Sequence, residues 1–417
     1  MNSFIQSVLG LPLTDPVNGG IYIAILVISA ILIAWRLRKR DFVSFLLAAV
    51  IATVAYFALK HWEVPFYLFV AGLVPIAALI SLIHHSGRRM LMTVIAAFST
   101  LAVAGLTNME YQSYPDIGSL DPTPVAQEMD YSQFKSMKSS DSAAIVHLDL
   151  PGTTSGFTAR QATAYIPPAY WANPERHLPV LVLLHGNPGG PEQWFGSGEA
   201  AETADAFQRV NGGVSPIVVA VDATGSETAN PICADSSVAK VMTYLATDVP
   251  TGIKSAFRVD ENQQHWTVAG LSYGGTCSLQ ILTNHPDAFG NAVDISGQAE
   301  PTIGKHADTV AKFYGGDEAA YQAANPAHLL ATKKYPDLQV IFIAGNRDTA
   351  AVKALSQLSD AARGAGMRTF YTTRPGGHSF DVWRPALRET FAWIARQGGM
   401  KDVNDPFDGV QDADLQH

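Results

Sequence analysis

The chain has 417 residues, enough for two or three domains. Charged residues make up only 16% of it, against roughly 25% in a typical soluble protein, so part of the chain avoids water. The 28 basic and 37 acidic residues give a net charge of -9, which argues against the basic surface that a nucleic-acid-binding protein needs.

The missing charge is explained by four apolar runs between residues 17 and 106. Each run lacks Lys, Arg, Asp and Glu and has about the 17 to 25 residues needed to cross a hydrocarbon core. The runs are apolar all round, whereas a helical core in a soluble domain would show polar faces at a helical period. We therefore predict a transmembrane domain over residues 1–106. Its four helices are expected at about 17–35, 42–59, 64–83 and 90–106.

Positive charges in short loops indicate the orientation, because such loops stay on the cytoplasmic side. Residues 36–40 read Arg-Leu-Arg-Lys-Arg and residues 87–89 read Gly-Arg-Arg, whereas residues 60–63 are balanced and the tail before Val17 has no Lys or Arg. We expect a multi-pass protein of the cell membrane with both termini outside. The alternatives are an inverted topology and a cleaved signal peptide, which would carry its positive charge before the apolar run.

The composition and the hydrophobic pattern of the sequence change after the apolar runs. Residues 107–140 are polar and contain three prolines without clear periodicity, which predicts an extracytoplasmic linker. From residue 141 to residue 399, β-rich runs alternate with helical patterns, which predicts one α/β domain with a mostly parallel central sheet. The predicted strands lie at 143–150, 161–166, 180–184, 217–221, 266–271, 292–295, 340–344 and 369–373. Residues 400–417 are expected to form an acidic, mobile tail.

A candidate nucleophile follows the strand at 266–271. Residues 270–274 read Gly-Leu-Ser-Tyr-Gly between a predicted strand and a helical pattern, the context of a nucleophile elbow. Small residues on both sides permit the sharp turn that lifts the Ser272 hydroxyl clear of the sheet. Ser272 is therefore the predicted nucleophile.

An acid and a base follow later strands in the order that this elbow requires. Asp348 comes just after the strand at 340–344, and His378 comes after the last predicted strand. Both lie at the carboxyl ends of strands, where open α/β sheets place their sites. Asp294 also ends a strand and is the alternative acid, but the order favours Asp348.

Two backbone N-H groups should form an oxyanion hole. One is expected from Tyr273, the residue after the nucleophile, and the other from the loop that follows the strand at 180–184. That loop begins His-Gly-Asn-Pro-Gly-Gly, and Asn187 is the predicted donor because Pro188 has no N-H. A phosphate-binding loop is the alternative, but the Lys-Ser/Thr ending of a P-loop is missing.

These motifs together resemble the esterase D and antigen 85 mycolyltransferase-like group of α/β-hydrolases, over about residues 141–399. The residues that carry the resemblance are His185, Gly186 and Asn187, the run Glu192-Gln193-Trp194, residues 270–275, Asp348 and residues 376–380. With its four-helix anchor, the chain is similar to membrane-bound esterases of mycolic-acid-containing actinobacteria. The resemblance implies a serine acylated by a lipid ester, with transfer of the acyl group to water or a sugar hydroxyl. The sequence departs from the mycolyltransferases in having Asp where they have Glu, and Ser379-Phe380 after the histidine.

The two cysteines of the chain lie near this site in the sequence. Cys277 follows Ser272 on the predicted elbow helix, and Cys233 lies in the loop after the strand at 217–221. Because disulfides persist outside the cytoplasm, we predict that Cys233 and Cys277 form one, and two buried thiols are the alternative. Residues 299–336 are long enough for a lid or acyl-chain wall. Its candidate lining residues are Trp194, Phe195, Phe313 and Tyr314.

The sequence thus predicts a membrane-anchored serine esterase or acyltransferase that acts outside the membrane on lipid or sugar esters through an acyl-enzyme. We expect no metal, cofactor or nucleic-acid partner. A binding or assembly subunit that keeps the hydrolase fold without turnover is the alternative from another class, since a fold does not imply a function.

Overall fold

The computed structural model describes residues 2–35, 39–59, 64–84 and 89–407. It divides into two compact units, Met1–Thr123 and Pro124–His417. The first unit is helical. Its described elements are α1 (Asn2–Leu9), α2 (Pro16–Trp35), α3 (Lys39–Leu59), α4 (Phe66–His84), α5 (Arg89–Tyr111) and a 3-10 turn (Gly118–Leu120).

Helices α2 to α5 are each long and apolar enough to cross a membrane. They pack through narrow stripes, as at Ile33 and Ile95, each 3% exposed, while apolar side chains on the other faces stay exposed, as at Ile28 (57%). Exposed apolar faces on long helices are typical of lipid-facing surfaces rather than of a soluble core. Of the charged loops used to predict the orientation, residues 36–38, 60–63, 87 and 88 lie outside the described residues, whereas Lys39 and Arg89 begin α3 and α5.

The second unit is built on one nine-stranded sheet with the strand order β1-β2-β3-β5-β4-β6-β7-β8-β9. The strands are β1 (Gln127–Asp130), β2 (Ala144–Leu148), β3 (Ala162–Ile166), β4 (Val180–Leu184), β5 (Ile217–Val221), β6 (Thr267–Leu271), β7 (Asn291–Ile295), β8 (Gln339–Gly345) and β9 (Arg368–Arg374). Strand β3 runs antiparallel to both its neighbours, and all other pairs are parallel.

Helices cover both faces of this sheet, so its central strands are buried throughout. Along β4, Val182 packs into one apolar cluster and Leu183 into the other, on the opposite face. The helices are α6 (Tyr131–Ser136), α7 (Ala169–Ala172), α8 (Glu192–Phe195), α9 (Ala200–Val210), α10 (Val241–Thr243), α11 (Val249–Ala256), α12 (Tyr273–Asn284), α13 (His306–Tyr314), α14 (Glu318–Ala324), α15 (Pro326–Thr332), α16 (Thr349–Gly364) and α17 (Phe380–Gln397). The predicted α/β class with a mostly parallel sheet is confirmed.

Two segments differ from the sequence prediction. The segment 107–140, predicted as a linker, contains β1 and α6, because Met129 and Phe134 bury their side chains against the sheet domain and β1 pairs with β2. Because Gln-Glu-Met-Asp contains one apolar residue, β1 shows no alternation of apolar and polar residues from which a strand could be predicted. At the other end, Phe407 of the predicted mobile tail is 7% exposed and packs on Phe370 with ring centroids 5.2 Å apart. The rest of the tail, residues 408–417, lies outside the described residues.

Candidate active site

Ser272 occupies a sharp turn between β6 and α12. Its φ of 54° is a left-handed conformation that side chains other than glycine rarely adopt, so this position stores strain. The flanking glycines make the turn possible. A Cβ on Gly270 would lie 2.1 Å from the carbonyl of Gly274, and a Cβ on Gly274 would lie 2.1 Å from the Leu184 carbonyl oxygen. The backbone N-H of Ser272 donates to Ile295 O on β7 at 2.8 Å, which fixes the turn on the sheet.

The structure brings Ser272, His378 and Asp348 together. His378 Nε2 lies 2.8 Å from Ser272 Oγ, and His378 Nδ1 lies 2.5 Å from Asp348 Oδ2. Asp348 begins α16, where its Oδ1 accepts the Ala351 N-H at 3.1 Å. Because Asp348 holds the proton on Nδ1, Nε2 is free to accept the serine proton.

Asp348 is suited to carry a negative charge here. Burial raises the pKa of Asp348, but the hydrogen bond from His378 and the attraction of that ring lower it more, so the net shift is downward. A carboxylate that stays ionised can stabilise the imidazolium formed when His378 accepts a proton.

The loops that carry the acid and the base support each other. Gly376 N-H donates to Asn346 Oδ1 at 3.3 Å, and Arg347 N-H donates to Gly376 O at 2.9 Å. The His378 ring packs at right angles to Trp383, with centroids 5.1 Å apart. These contacts restrict the His378 ring to the side of Ser272 and Asp348.

The predicted oxyanion loop lies beside the serine. A Cβ added to Gly186 would lie 3.7 Å from Ser272 Cβ. Among the hydrogen bonds of the described residues, neither the Asn187 N-H nor the Tyr273 N-H has an acceptor. The Asn187 side chain is used elsewhere, since its Nδ2 donates to Ala229 O. Both predicted amides are thus available to a bound anion.

Gln193, on α8, braces this loop from both sides of Asn187. Its Oε1 accepts the Gly186 N-H at 3.0 Å, and its Nε2 donates to Pro188 O at 3.0 Å. This contact was not predictable from the sequence, because nothing in a lone glutamine indicates that its side-chain amide faces a loop five residues earlier.

A buried charge network lies under the same loop and was also missed. Asp222, fully buried at the end of β5, accepts from Arg160 Nη2 at 2.8 Å and lies 3.2 Å from His185 Nε2. Burial raises the pKa of Asp222, but the hydrogen bonds from His185 and Arg160 hold it well below its ordinary value. Arg160 Nη2 also donates to Gly189 O at 2.8 Å, so the network holds the loop from below.

The second predicted amide donor is fixed by the disulfide loop. Cys233 and Cys277 are joined in a disulfide with Cα atoms 5.5 Å apart, which confirms that prediction. The Tyr273 hydroxyl accepts the Cys233 N-H at 2.9 Å and donates to Ala223 O at 3.1 Å. The residue after Ser272 is therefore held by a loop from another strand end.

Asp294, the alternative acid, lies at the end of β7 and is not brought to His378. Its Oδ1 accepts the Gly297 N-H at 2.9 Å, and its Oδ2 has no hydrogen-bond partner within the described chain. The side chain is fully buried against Gly275, and burial raises its pKa to about 7.

Two of the aromatic residues expected to line an acyl pocket are in the core instead. Trp194 is fully buried and its Nε1 donates to Leu184 O at 2.9 Å. Phe313, 3% exposed on α13, packs with Ile232 and Ala234 in a small separate cluster. Large aromatics bury the most apolar area, so the core is where most of them lie. Among the described residues, no group of three or more His, Cys, Asp or Glu side chains could hold a metal ion.

Comparisons with known proteins agree with this geometry. The model of the Esterase family, described as "Putative esterase", matches residues 157–394. An uncharacterised protein of Corynebacterium glutamicum is 46% identical over 389 residues, which cover 88% of this chain and 91% of that protein.

Solved structures show the same fold. A ferulic acid esterase superposes with a TM-score of 0.53 at 20% identity, covering 62% of this chain and all 100% of that one. An S-formylglutathione hydrolase from Agrobacterium tumefaciens gives a TM-score of 0.51 at 17% identity, covering 61% of this chain and 95% of that one. The predicted α/β-hydrolase fold and the resemblance to esterases are confirmed.

Proposed function

Because the chain belongs to the Esterase family, we propose that it is a membrane-anchored serine esterase or acyltransferase whose catalytic domain acts outside the membrane on lipid or sugar esters of the cell envelope. The observation that carries the proposal is the continuous hydrogen-bonded series Ser272, His378 and Asp348 at the carboxyl ends of parallel strands. Nucleophile, base and orienting acid are each within hydrogen-bond reach of the next, as acyl transfer requires.

In the first half-reaction, acylation, the three hydrogen-bonded side chains transfer an acyl group from the substrate to Ser272. Ser272 Oγ attacks the ester carbonyl carbon while its proton passes to His378 Nε2. The tetrahedral intermediate then collapses, the bond from carbon to the leaving oxygen breaks, and the imidazolium returns the proton to the leaving alcohol. Asp348 keeps the ring oriented and stabilises its positive charge, which leaves an acyl group on Ser272.

Deacylation repeats the steps with a second nucleophile. Water or a sugar hydroxyl gives its proton to His378 and attacks the acyl carbon, and Ser272 recovers a proton as the ester bond to it breaks. In both halves the N-H groups of Asn187 and Tyr273 bind the oxyanion. Their lack of other acceptors within the described chain supports this assignment.

The anchor supports an envelope substrate. Helices α2 to α5 would anchor the catalytic domain to the membrane surface, and the basic loops predict that this domain faces outward. A disulfide next to the elbow fits an oxidising compartment. An enzyme tethered to a bilayer meets amphiphilic esters at high local concentration, which favours lipid-derived substrates.

The proposal is tested on envelope lipids from strains that express the full chain as wild type, Ser272→Ala or Ser255→Ala, an exposed serine remote from the site in sequence. We expect the Ser272→Ala strain to lose or accumulate particular lipid or sugar esters. The Ser255→Ala strain should match wild type, because Ser255 is exposed on α11 and makes no contact assigned to the site. Unchanged lipids in the Ser272→Ala strain would contradict the envelope substrate. Purified enzyme with an ester donor, with and without a sugar acceptor, then separates hydrolysis from transfer by the product formed.

A further inference from the structure

Helix α1 has an apolar face that the described protein leaves uncovered. Its sequence alternates two apolar and two polar residues, so one side is apolar. On that side Ile5 is 47% exposed and Leu9 is 40% exposed, and Leu11 just after the helix is 50% exposed. Residues 1–14 contain no charged side chain. An uncharged amphipathic helix with its apolar side exposed needs an apolar partner.

This helix is fixed to the segment that follows α5. Leu13 N-H donates to Pro115 O at 2.8 Å, and Ile117 N-H donates to Leu11 O at 3.1 Å, so the two chain segments pair antiparallel. Behind them Gly118 packs so closely that an added Cβ would lie 3.3 Å from Leu9 O. The apolar side chains of α1 are therefore held in place rather than free to fold away.

The tyrosines of the first unit lie at the same end of the helical bundle as α1. The five tyrosines before residue 124 all lie at one end of the antiparallel bundle: Tyr22, Tyr56, Tyr67, Tyr111 and Tyr114. Contacts between helices establish that shared end. The Tyr67 hydroxyl donates to Glu110 Oε2 at 2.7 Å, and the Tyr56 ring lies 5.3 Å from Phe66. Tyrosine is enriched where a membrane protein crosses the headgroup region.

The short connection between α1 and α2 keeps α1 at the tyrosine end of the bundle. Residues 10–15 connect the two helices, and the pairing with residues 115–117 uses part of their length. Asp15 then caps α2 by accepting the Asn18 N-H at 2.7 Å. Beyond the cap, Val17 and Ile21 are 70% and 48% exposed, so exposed apolar side chains continue along the chain from α1 into α2.

We infer that α1 is a surface helix that lies along the polar-apolar boundary of the outer leaflet, with Ile5, Leu9 and Leu11 inserted among the lipids. This inference rests on the membrane anchoring proposed above. The occupant is the bilayer rather than a protein, because the exposed apolar residues run on along the chain into α2, a helix apolar enough to cross a membrane. The face also lies at the tyrosine end of the bundle and lacks the charges that would orient a protein partner.

Site-specific fluorescence on the full chain tests the inference. The native cysteines are paired in a disulfide, so a single cysteine introduced as Ile5→Cys, Leu9→Cys or Gln6→Cys can carry an environment-sensitive fluorophore. Gln6 is exposed on the polar side and serves as the matched control. Ile28→Cys, in the middle of α2, reports whether the chain spans the bilayer. The labelled proteins are reconstituted in vesicles of phosphatidylcholine and phosphatidylglycerol.

For the labels at Ile5 and Leu9 we expect emission at shorter wavelength and several-fold weaker quenching by aqueous iodide than for the label at Gln6. Phosphatidylcholine spin-labelled near its headgroup should quench them more than phosphatidylcholine spin-labelled near the end of its acyl chain. The Ile28 label should show the reverse preference.

Two results would overturn the inference. Equal iodide quenching at Ile5, Gln6 and Leu9 would place α1 in water. Protection from iodide without quenching by either spin-labelled lipid would show that protein covers it, as a second copy or another part of the chain would do. If the Ile28 label is also unaffected by lipid quenchers, the proposed anchoring fails. If the Ile28 label is quenched by the lipid spin-labelled near the end of its acyl chain while iodide quenches the Ile5 label freely, only the surface helix is refuted.

Discussion

Two neighbouring strands of the sheet, β7 and β8, each carry an aspartate at or just beyond the carboxyl end, Asp294 fully buried and Asp348 half-buried. Asp294, at the end of β7, accepts one backbone hydrogen bond and has a carboxyl oxygen without a partner in the described chain. Asp348, just beyond β8, bonds His378 at 2.5 Å and caps α16. Burial raises the pKa of Asp294 to about 7, whereas His378 brings the pKa of Asp348 below its ordinary value despite burial.

The difference shows that position at a strand end does not by itself give an aspartate a histidine partner. Asp294 is fully removed from water and Asp348 partly so, and the partner decides the charge of each carboxyl. His378 gives Asp348 a hydrogen bond and a positive partner, so Asp348 stays ionised. Asp294 faces glycines under the elbow and keeps its proton more readily.

The largest expected effect separates the two aspartates by activity. Asp348→Asn should lower kcat/KM about 10³- to 10⁴-fold, because an amide favours the wrong imidazole tautomer. Asp294→Asn should leave kcat/KM within about threefold of wild type, since this side chain has no bond to His378. Steady-state hydrolysis of a soluble aryl ester measures both. Equal losses in the two variants would remove the distinction between the strand ends.

The next largest effect concerns how the Asp294 carboxyl makes the free energy of unfolding depend on pH. The Asp294 carboxyl has an ordinary pKa of 3.8 when unfolded and about 7 when folded, so the folded chain binds this proton more tightly. The stability from this proton is complete below about pH 4 and is lost as the pH rises to about 7, with an upper limit of about 4 kcal/mol.

Asp294→Asn should remove this loss and flatten the dependence of the free energy of unfolding between about pH 4 and pH 7. Urea unfolding at a series of pH values measures it, with Asp260→Asn, a partly exposed aspartate, as the control. If Asp294→Asn follows the wild-type pH dependence, the carboxyl is not held neutral by burial.

A smaller effect extends the comparison to a third strand end, the loop after β4. Gln193→Ala removes both hydrogen bonds that brace this loop around Asn187. We expect kcat to fall about 10- to 100-fold with little change in KM, because the Asn187 N-H would act mainly on the transition state. Affinity for a boronic acid that forms a tetrahedral adduct should fall in parallel.

Gln193→Glu provides the conservative control for this loop. It keeps an acceptor for the Gly186 N-H and loses the donor to Pro188 O, so its kcat should lie between wild type and Gln193→Ala. A rise in KM with unchanged kcat, or unchanged boronic acid affinity, would show that Gln193 does not position the oxyanion loop.

The smallest effect is expected at Arg347, next to Asp348 in the sequence. This side chain is 71% exposed and lies 3.6 Å from Asp381. Exposed ion pairs contribute about 0–1 kcal/mol, so Arg347→Ala should change the free energy of unfolding by less than about 1 kcal/mol and kcat/KM less than about threefold. A tenfold loss of activity would mean that the acid loop depends on this pair for its geometry.

Strong local patterns were sufficient to predict most of the fold. The central strands are continuous Val, Ile and Leu runs buried on both faces, so periodicity located β4 and β5 to the residue. Strand β1 was missed because its Gln-Glu-Met-Asp sequence has a single buried side chain, and its pairing with β2 depends on distant residues. Tertiary pairing can override a weak local signal.

The placement of Ser272, Asp348 and His378 side by side was predictable, because chain order carries that information. The turn at Ser272 and the later aspartate and histidine follow from strand ends and their sequence order. Contacts made by ordinary polar residues were not predictable, as Gln193 and the buried pair of Asp222 and Arg160 show. Their partners are far apart in the sequence or on the far side of a loop, and no spacing rule connects them. The aromatic lining was wrong for Trp194 and Phe313 because bulk alone does not distinguish core from pocket.

The central claim is that His378 and Asp348 activate Ser272 as a nucleophile. Its most direct test is labelling of the full chain with a fluorophosphonate probe, followed by peptide mapping, in wild type, Ser272→Ala and Asp294→Asn. We expect one adduct on Ser272 in wild type and Asp294→Asn and none in Ser272→Ala. Absence of labelling in folded wild type, or undiminished labelling of Ser272→Ala, would contradict it and favour a binding subunit with a hydrolase fold.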